Sequence, residues 1–124
     1  MDEKTGYEIL FYKTETEKSP VREFLDGLPS KARSKILRWC ERLSVYGPDL
    51  PRPYADTVRG KIRELRVIFA STQYRLLYFF SGKYIVVTHG FIKKTDEVPS
   101  KELEKAINIM RDFEIMIRER GVEI

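Results

Sequence analysis

The chain has 124 residues, of which 42% are hydrophobic and 34% charged, with a formal net charge of +4. This composition excludes a disordered chain, and the length predicts a single domain over residues 1–124. The chain has one cysteine, Cys40, and one histidine, His89, which excludes an intramolecular disulfide and a Cys/His zinc site. It has neither a ~20-residue apolar run nor a signal-like start, which predicts a cytoplasmic protein with no membrane partner.

The first half of the chain predicts one strand followed by two helices. The β-prone run YEILFY at 7–12 indicates the strand. Ser19-Pro20 is typical of a helix N-cap and first turn, and this short helix extends to about Leu25. Ser30 is the predicted N-cap of the second helix, and the prolines of 47–54 predict an extended connector after it. The apolar stripe of the second helix comprises Ala32, Ile36, Trp39, Cys40 and Leu43.

The second half of the chain predicts a sheet and one further helix. β-rich runs at 62–69, 74–80 and 84–92 are separated by short gaps, which predicts an antiparallel meander. A helix then follows Pro99-Ser100 and ends near Gly121; its apolar stripe packs either on its own domain or on a partner. The order β-α-α-β-β-β-α predicts an α+β fold with an antiparallel sheet, a helical pair on one face and a C-terminal helix.

Positive charge is concentrated in the middle of the chain. Residues 52–94 carry nine Lys or Arg against two Asp or Glu, whereas residues 1–51 are balanced and residues 95–124 have a net charge of −3. A basic block of this size favours a polyanionic partner. The alternative is a solvated sheet surface that is basic without a ligand.

Side-chain alternation groups the candidate catalytic residues. Glu64 and Arg66 share one face of their predicted strand, and Arg75 lies on the next strand along the chain. Because burying an unpaired charge is costly, we expect these three residues to surround an open concave face. In the last strand, the alternation predicts a common face for Ile85, Val87, His89, Phe91 and Lys93.

These residue types suit the transesterification of RNA. Glu64 is a candidate base for the attacking 2′-hydroxyl, and Arg66 and Arg75 are candidates to stabilise the phosphorane. Lys93, Lys94 or His89 would then protonate or neutralise the leaving oxygen, with no metal or cofactor required. The alternative is that these charges form ordinary ion pairs on a sheet surface.

Several motifs resemble one known family. The motifs are KIRELRVIF, QYRLLYFF, IVVTHGFIKKT, SPVREFLDGLP and YGPDLPRPYADTVRGKIRELR. Over about residues 7–110, the chain resembles phage-derived HigB-like toxins of the RelE/ParE toxin superfamily. The resemblance implies a toxin of a type II toxin–antitoxin system, an endoribonuclease that cleaves mRNA, usually on the ribosome. It also implies a cognate helix-turn-helix (HigA-like) antitoxin and a toxin–antitoxin hetero-oligomer. A ParE-like inhibitor of DNA gyrase and a non-catalytic RNA-binding protein are the alternatives.

The resemblance also assigns positions to site residues. Arg75 matches the family's phosphate-binding arginine, Glu64 and Arg66 lie on the strand that supplies active-site residues, and Lys93 and Lys94 match a C-terminal basic residue. The chain departs from typical RelE enzymes, because Ile62 and Glu64 stand where those have lysines and no tyrosine follows His89. Either the general base differs, with Glu64 the candidate, or the cleavage activity is weaker. His89 is either a general acid or a packed residue of the strand. The candidates for RNA contact are Lys61, Arg63 and Lys94, with Tyr78 and Phe91 either stacking on bases or packing in the core.

Overall fold

The computed structural model describes residues 6–121, which form three helices and five strands. The strands are β1 (Glu8–Phe11), β2 (Ala55–Arg59), β3 (Ile62–Phe69), β4 (Thr72–Ser81) and β5 (Tyr84–Ile92). The helices are α1 (Pro20–Asp26), α2 (Ser30–Tyr46) and α3 (Ser100–Arg120), and a short 3-10 turn, Gly47–Asp49, follows α2. None of the helices in this range has the length and hydropathy that a bilayer crossing requires.

The strands form one sheet in the order β1-β5-β4-β3-β2. The predicted meander is confirmed, since β3, β4 and β5 pair antiparallel in succession. The prediction of an antiparallel sheet is wrong at one edge, because β1 runs parallel to β5, with Glu8 opposite Tyr84. The strand β2 was not expected; it pairs antiparallel to β3 at the other edge. Only five residues long, β2 follows a proline-rich connector and shows too little alternation to be recognised.

The helix starts agree with the sequence only in part. Ser19 caps α1 as predicted, since its hydroxyl accepts a hydrogen bond from the Arg22 backbone N–H at 3.3 Å. The predicted Ser30 cap of α2 is wrong, because Pro29 occupies the N-cap position and Ser30 is the first helical residue. The helix α3 ends at Gly121, as expected, and the φ of 74° at this residue is one that glycine adopts readily.

The sheet has a hydrophobic core on each of its faces. The predicted helical pair is confirmed, because Ile36 and Leu43 of α2 are fully buried on one face together with residues of α1. The helix α3 covers the other face with Leu103 and Phe113. Its apolar stripe therefore packs within the chain, and the expected open concave face is largely covered.

A β-bulge in β5 changes which residues share a face. Leu77 lies opposite His89, but its neighbour Tyr78 lies opposite Val87, so Thr88 is the extra residue. Val87 accordingly packs towards α1 and α2, whereas His89 contacts α3. The predicted common face is therefore wrong: Ile85 and Val87 lie on one side of the sheet and His89 and Phe91 on the other.

Gly90 lets α1 approach β5 closely. A Cβ added at Gly90 would lie 2.5 Å from the Phe24 ring. Phe24 packs against the core on this face, so the ring cannot move away without disturbing its neighbours.

We expect Gly90→Ala to lower the free energy of unfolding by about 1–3 kcal/mol, the usual cost of overpacking. Urea denaturation of the purified protein measures this change. Gly27→Ala is the matched control, because a Cβ at that position has its nearest heavy atom at 3.8 Å. Equal midpoints for the two variants would contradict the close packing of α1 on β5.

Candidate active site

Glu64 joins two arginines on the α3 side of the sheet. Its Oε2 lies 2.9 Å from Nη2 of Arg66 and accepts a further hydrogen bond from Nε at 3.2 Å. Its Oε1 lies 3.1 Å from Nε of Arg75. Each carboxylate oxygen of Glu64 therefore lies within ion-pair distance of a different guanidinium group, but among the described residues the buried Oε1 and the Arg75 Nε make no hydrogen bond.

The strand register explains this arrangement. Arg66 of β3 lies directly opposite Arg75 of β4, and two like charges in that position repel each other. Glu64 is two residues before Arg66 and so faces the same side of β3. Its carboxylate compensates both cations, which allows the pair to occupy adjacent strands.

The cluster extends to both sides of Glu64. Asp56 of β2 lies 3.3 Å from Nη2 of Arg66 and 3.0 Å from Nε of Arg52. On the other side, Nη2 of Arg75 donates to Oε1 of Gln73 at 3.0 Å. We call the whole set the Glu64 network; it comprises Arg52, Asp56, Glu64, Arg66, Gln73 and Arg75.

The two titratable groups of the network with shifted pKa values respond to different causes. The Thr57 backbone N–H, followed by Arg52 and Arg66, holds the pKa of Asp56 below its usual value. Burial lowers the pKa of Arg75, and the neighbouring Glu64 carboxylate counters part of this shift. Both groups remain charged at neutral pH, because a lowered pKa keeps Asp56 ionised and Arg75 starts from a very high value.

Solvent reaches only part of the Glu64 network. The side chains of Glu64 and Arg75 are 6% and 5% exposed, whereas that of Arg66 is 26% exposed. Arg66 is therefore the cation at the centre of the network that an incoming anion meets first. Its guanidinium has the planar geometry that binds phosphate with two parallel hydrogen bonds.

His89 lies outside this network. Its ring is 2% exposed beneath the first turn of α3, where Nε2 lies 3.0 Å from Oε1 of Glu102 and Nδ1 lies 3.0 Å from Oγ1 of Thr88. Leu77 lies between His89 and Glu64 in the sheet register. This placement favours the packed role for His89 over the general acid.

Two other predicted residues, Phe91 and Lys93, lie next to the Glu64 network. Phe91 lies opposite Arg75 and is 8% exposed, and the backbone N–H of Lys93 donates to the Gln73 carbonyl at 2.8 Å, which places Lys93 beside the network. Lys94 is exposed one residue further on.

Three further candidates for RNA contact lie apart from the Glu64 network. Lys61 is exposed and lies 3.9 Å from Glu114. Arg63 faces the α1–α2 side, where its Nε donates to the Tyr78 hydroxyl at 3.4 Å. Tyr78 is fully buried there, so its ring is not available for stacking on a base.

Sequence reasoning missed Asp56, Gln73 and Glu102. Asp56 lies on the unpredicted β2, where the Gly60 turn after the strand is the local signal. Gln73 joins the cluster through the register of β4, and Glu102 through the packing of α3 on the sheet. Within residues 6–121, no three His, Cys, Asp or Glu side chains are grouped so as to hold a metal ion.

Comparison with known proteins adds three similarities. The family model of phage-derived Gp49-like proteins matches residues 23–111. Two proteins named probable endoribonuclease HigB1, from two strains of Mycobacterium tuberculosis, are each 31% identical to the chain over 100 residues, which is 79% of this chain and 78% of theirs. A chain of the toxin–antitoxin complex RelBE2 from the same species has a TM-score of 0.53 at 18% identity and covers 72% of this chain and 100% of its own, so the two share a RelE-like α+β fold.

The burial of His89 predicts a pH-dependent stability. Burial lowers the pKa of His89, against the opposing effect of its hydrogen bond to Glu102. The unfolded chain therefore binds a proton at a higher pH than the folded chain, and the free energy of unfolding should decrease as the pH falls below about 6.5. The decrease ends once the pH reaches the pKa of the folded state.

Urea denaturation between pH 7.5 and 5 measures this effect, and His89→Gln should remove the part due to the imidazole. Because His89 is the only histidine, its NMR titration gives the folded pKa without assignment ambiguity. A folded pKa at or above about 6.5 would contradict the dominance of burial.

Proposed function

The chain belongs to the family of phage-derived Gp49-like proteins, and we propose that it is the toxin of a toxin–antitoxin system and acts as an endoribonuclease on mRNA. The family resemblance inferred from the motifs is thereby confirmed. The name of the HigB1 relatives supports nuclease activity, and the RelBE2 complex supports an antitoxin partner. The observation that carries the proposal is the Glu64 carboxylate held between Arg66 and Arg75, with Arg66 open to solvent.

In the proposed mechanism, the substrate phosphate takes the place of Glu64 at Arg66. Arg66 occupies Oε2 of Glu64 in the unliganded protein, so this oxygen is not free to accept the 2′-hydroxyl proton until Arg66 is withdrawn from it. A phosphate that binds Arg66 releases Oε2, which then accepts the proton of the 2′-hydroxyl. The base would thus become available only when substrate is bound.

The remaining steps follow from the charges around the site. The 2′-oxygen attacks the phosphorus, the P–O5′ bond breaks, and the RNA is left with a 2′,3′-cyclic phosphate and a free 5′-hydroxyl. Arg66 and Arg75 stabilise the charge of the phosphorane. Lys93, at the end of the network, is the candidate to protonate the leaving 5′-oxygen, and Lys94 adds positive charge near it.

The biological setting belongs to the same proposal. We expect cleavage of mRNA on the ribosome in the cytoplasm, and inhibition by a cognate helix-turn-helix antitoxin that binds the toxin in a hetero-oligomer. A small helix-turn-helix reading frame next to the gene would support this partner.

Arg66→Gln is the sharpest test of the mechanism. It should slow RNA cleavage about 10²-fold or more, because the variant loses charge stabilisation in the transition state. Arg75→Ala is less informative, since it removes the cation beside Oε1 of the buried Glu64 and so alters folding as well as chemistry. Arg59→Gln is the matched control, as Arg59 is an exposed cation of the same sheet edge.

Two measurements decide the outcome. Primer extension on a reporter transcript after induction of the toxin locates cleavage in cells, and thermal unfolding shows that each variant is folded. A folded Arg66→Gln protein that cleaves within threefold of the parent would remove Arg66 from the site. Growth arrest with intact transcripts and a DNA-damage response would favour the gyrase inhibitor instead.

A further inference from the structure

Helix α2 carries a basic stripe on the side that faces away from the core. The spacing i, i+4, i+7 and i+11 places its cations on one helical face over about 16 Å. The exposed Tyr46 continues the same face one turn later. We call this surface the α2 stripe; it comprises Lys31, Lys35, Arg38, Arg42 and Tyr46.

The stripe has little neutralising charge. Within residues 6–121, no carboxylate forms an ion pair with Lys31, Arg38 or Arg42. All three are exposed. Lys35 is more confined, because its Nζ donates to the Ile68 carbonyl at 2.6 Å. This local excess of charge is not visible in the sequence totals, since the first 51 residues are balanced overall.

Aromatic rings lie beside the cations. Trp39 stacks on Tyr54 with ring centroids 4.7 Å apart and an interplanar angle of 23°. The guanidinium of Arg42 lies 4.8 Å from the Trp39 ring centroid. Tyr54 is 41% exposed, so a flat aromatic surface adjoins the stripe. Trp39, which the sequence places in the apolar stripe of α2, packs against the core and stays partly exposed.

The stripe and the Glu64 network meet at the β2 edge of the sheet. The backbone N–H of Arg66 donates to the Tyr54 carbonyl at 2.8 Å. Arg52, two residues before Tyr54, is 78% exposed and belongs to the network. An extended polyanion bound at the network and leaving it at this edge would therefore contact Tyr54 and then the cations of α2.

We propose that the α2 stripe, with the Trp39–Tyr54 stack, is a second RNA-binding surface that holds the phosphate backbone of RNA outside the cleavage site. The choice of RNA rests on the proposed function. Regularly spaced cations beside a stacked aromatic pair suit a nucleic acid, because phosphates bind the charges and a base stacks on the ring. An acidic protein segment would use the cations but would leave the aromatic surface without a specific role.

Binding to a non-cleavable RNA tests this surface apart from catalysis. The probe is a fluorescein-labelled 2′-O-methyl oligonucleotide, titrated with the full-length, antitoxin-free protein at several salt concentrations. We expect the triple variant Lys31→Gln/Arg38→Gln/Arg42→Gln to bind at least tenfold more weakly at about 0.1 M salt. Its log–log salt slope should be shallower by about 2, as expected when three contacts to a single strand are lost.

A second triple variant removes the same charge from a different surface. Lys101→Gln/Arg111→Gln/Arg118→Gln changes three exposed cations of α3 and should alter binding less than twofold. Trp39 is the only tryptophan, so its fluorescence reports contact at the stripe directly. Titration with the RNA should quench it in the parent protein and in Arg66→Gln, but not in the stripe variant.

The possible outcomes separate the two proposals. If the parent protein binds RNA through the stripe but does not cleave RNA on ribosomes, the proposed function fails and the second surface stands. Equal loss of affinity in the two triple variants, or unchanged Trp39 fluorescence, would overturn the second surface. Competition by polyglutamate as effective as by unlabelled RNA would also overturn it and would indicate an acidic protein partner.

Discussion

The Glu64 carboxylate sets the organisation of the sheet face on which it lies. Without it, Arg66 and Arg75 would lie opposite each other on two adjacent strands. Asp56 would still pair with Arg66, but the buried Arg75 would lose the carboxylate beside it. The same ion pairs hold the arginines in defined positions. The face therefore presents charged groups in fixed relative positions, on which the proposed electrostatic stabilisation of a transition state depends.

Burial divides the network into a fixed part and a responsive part. Arg75 and Glu64 are nearly inaccessible, whereas Arg66 and Asp56 keep about a quarter of their side-chain surface in water. An anion that approaches from solvent competes first for Arg66. A site of this kind needs little motion to open, because exchanging one partner of Arg66 leaves the Arg75 pair intact.

The α+β fold and its meander were predictable, because the period-two runs and short gaps of the second half are local signals. The common face of Glu64 and Arg66 followed from alternation within one strand, whereas the position of Arg75 beside them rested on the cost of burying a charge and depends on the register between strands. The parallel pairing of β1 and the burial of Glu64 depend on contacts between distant segments, which no local pattern encodes. The extra residue at Thr88 has no sequence signal either, yet it decides that His89 contacts Glu102.

The parallel pairing of β1 has a consequence for synthesis of the protein. Glu8 is among the first described residues to leave the ribosome, but its neighbour in the sheet, Tyr84, belongs to the last strand. β1 therefore cannot form its sheet pairing until β5 has been synthesised, after most of the chain. Pairings between such remote segments form slowly. In a chain truncated before β5, β1 would lack the strand with which it forms its hydrogen bonds in the sheet.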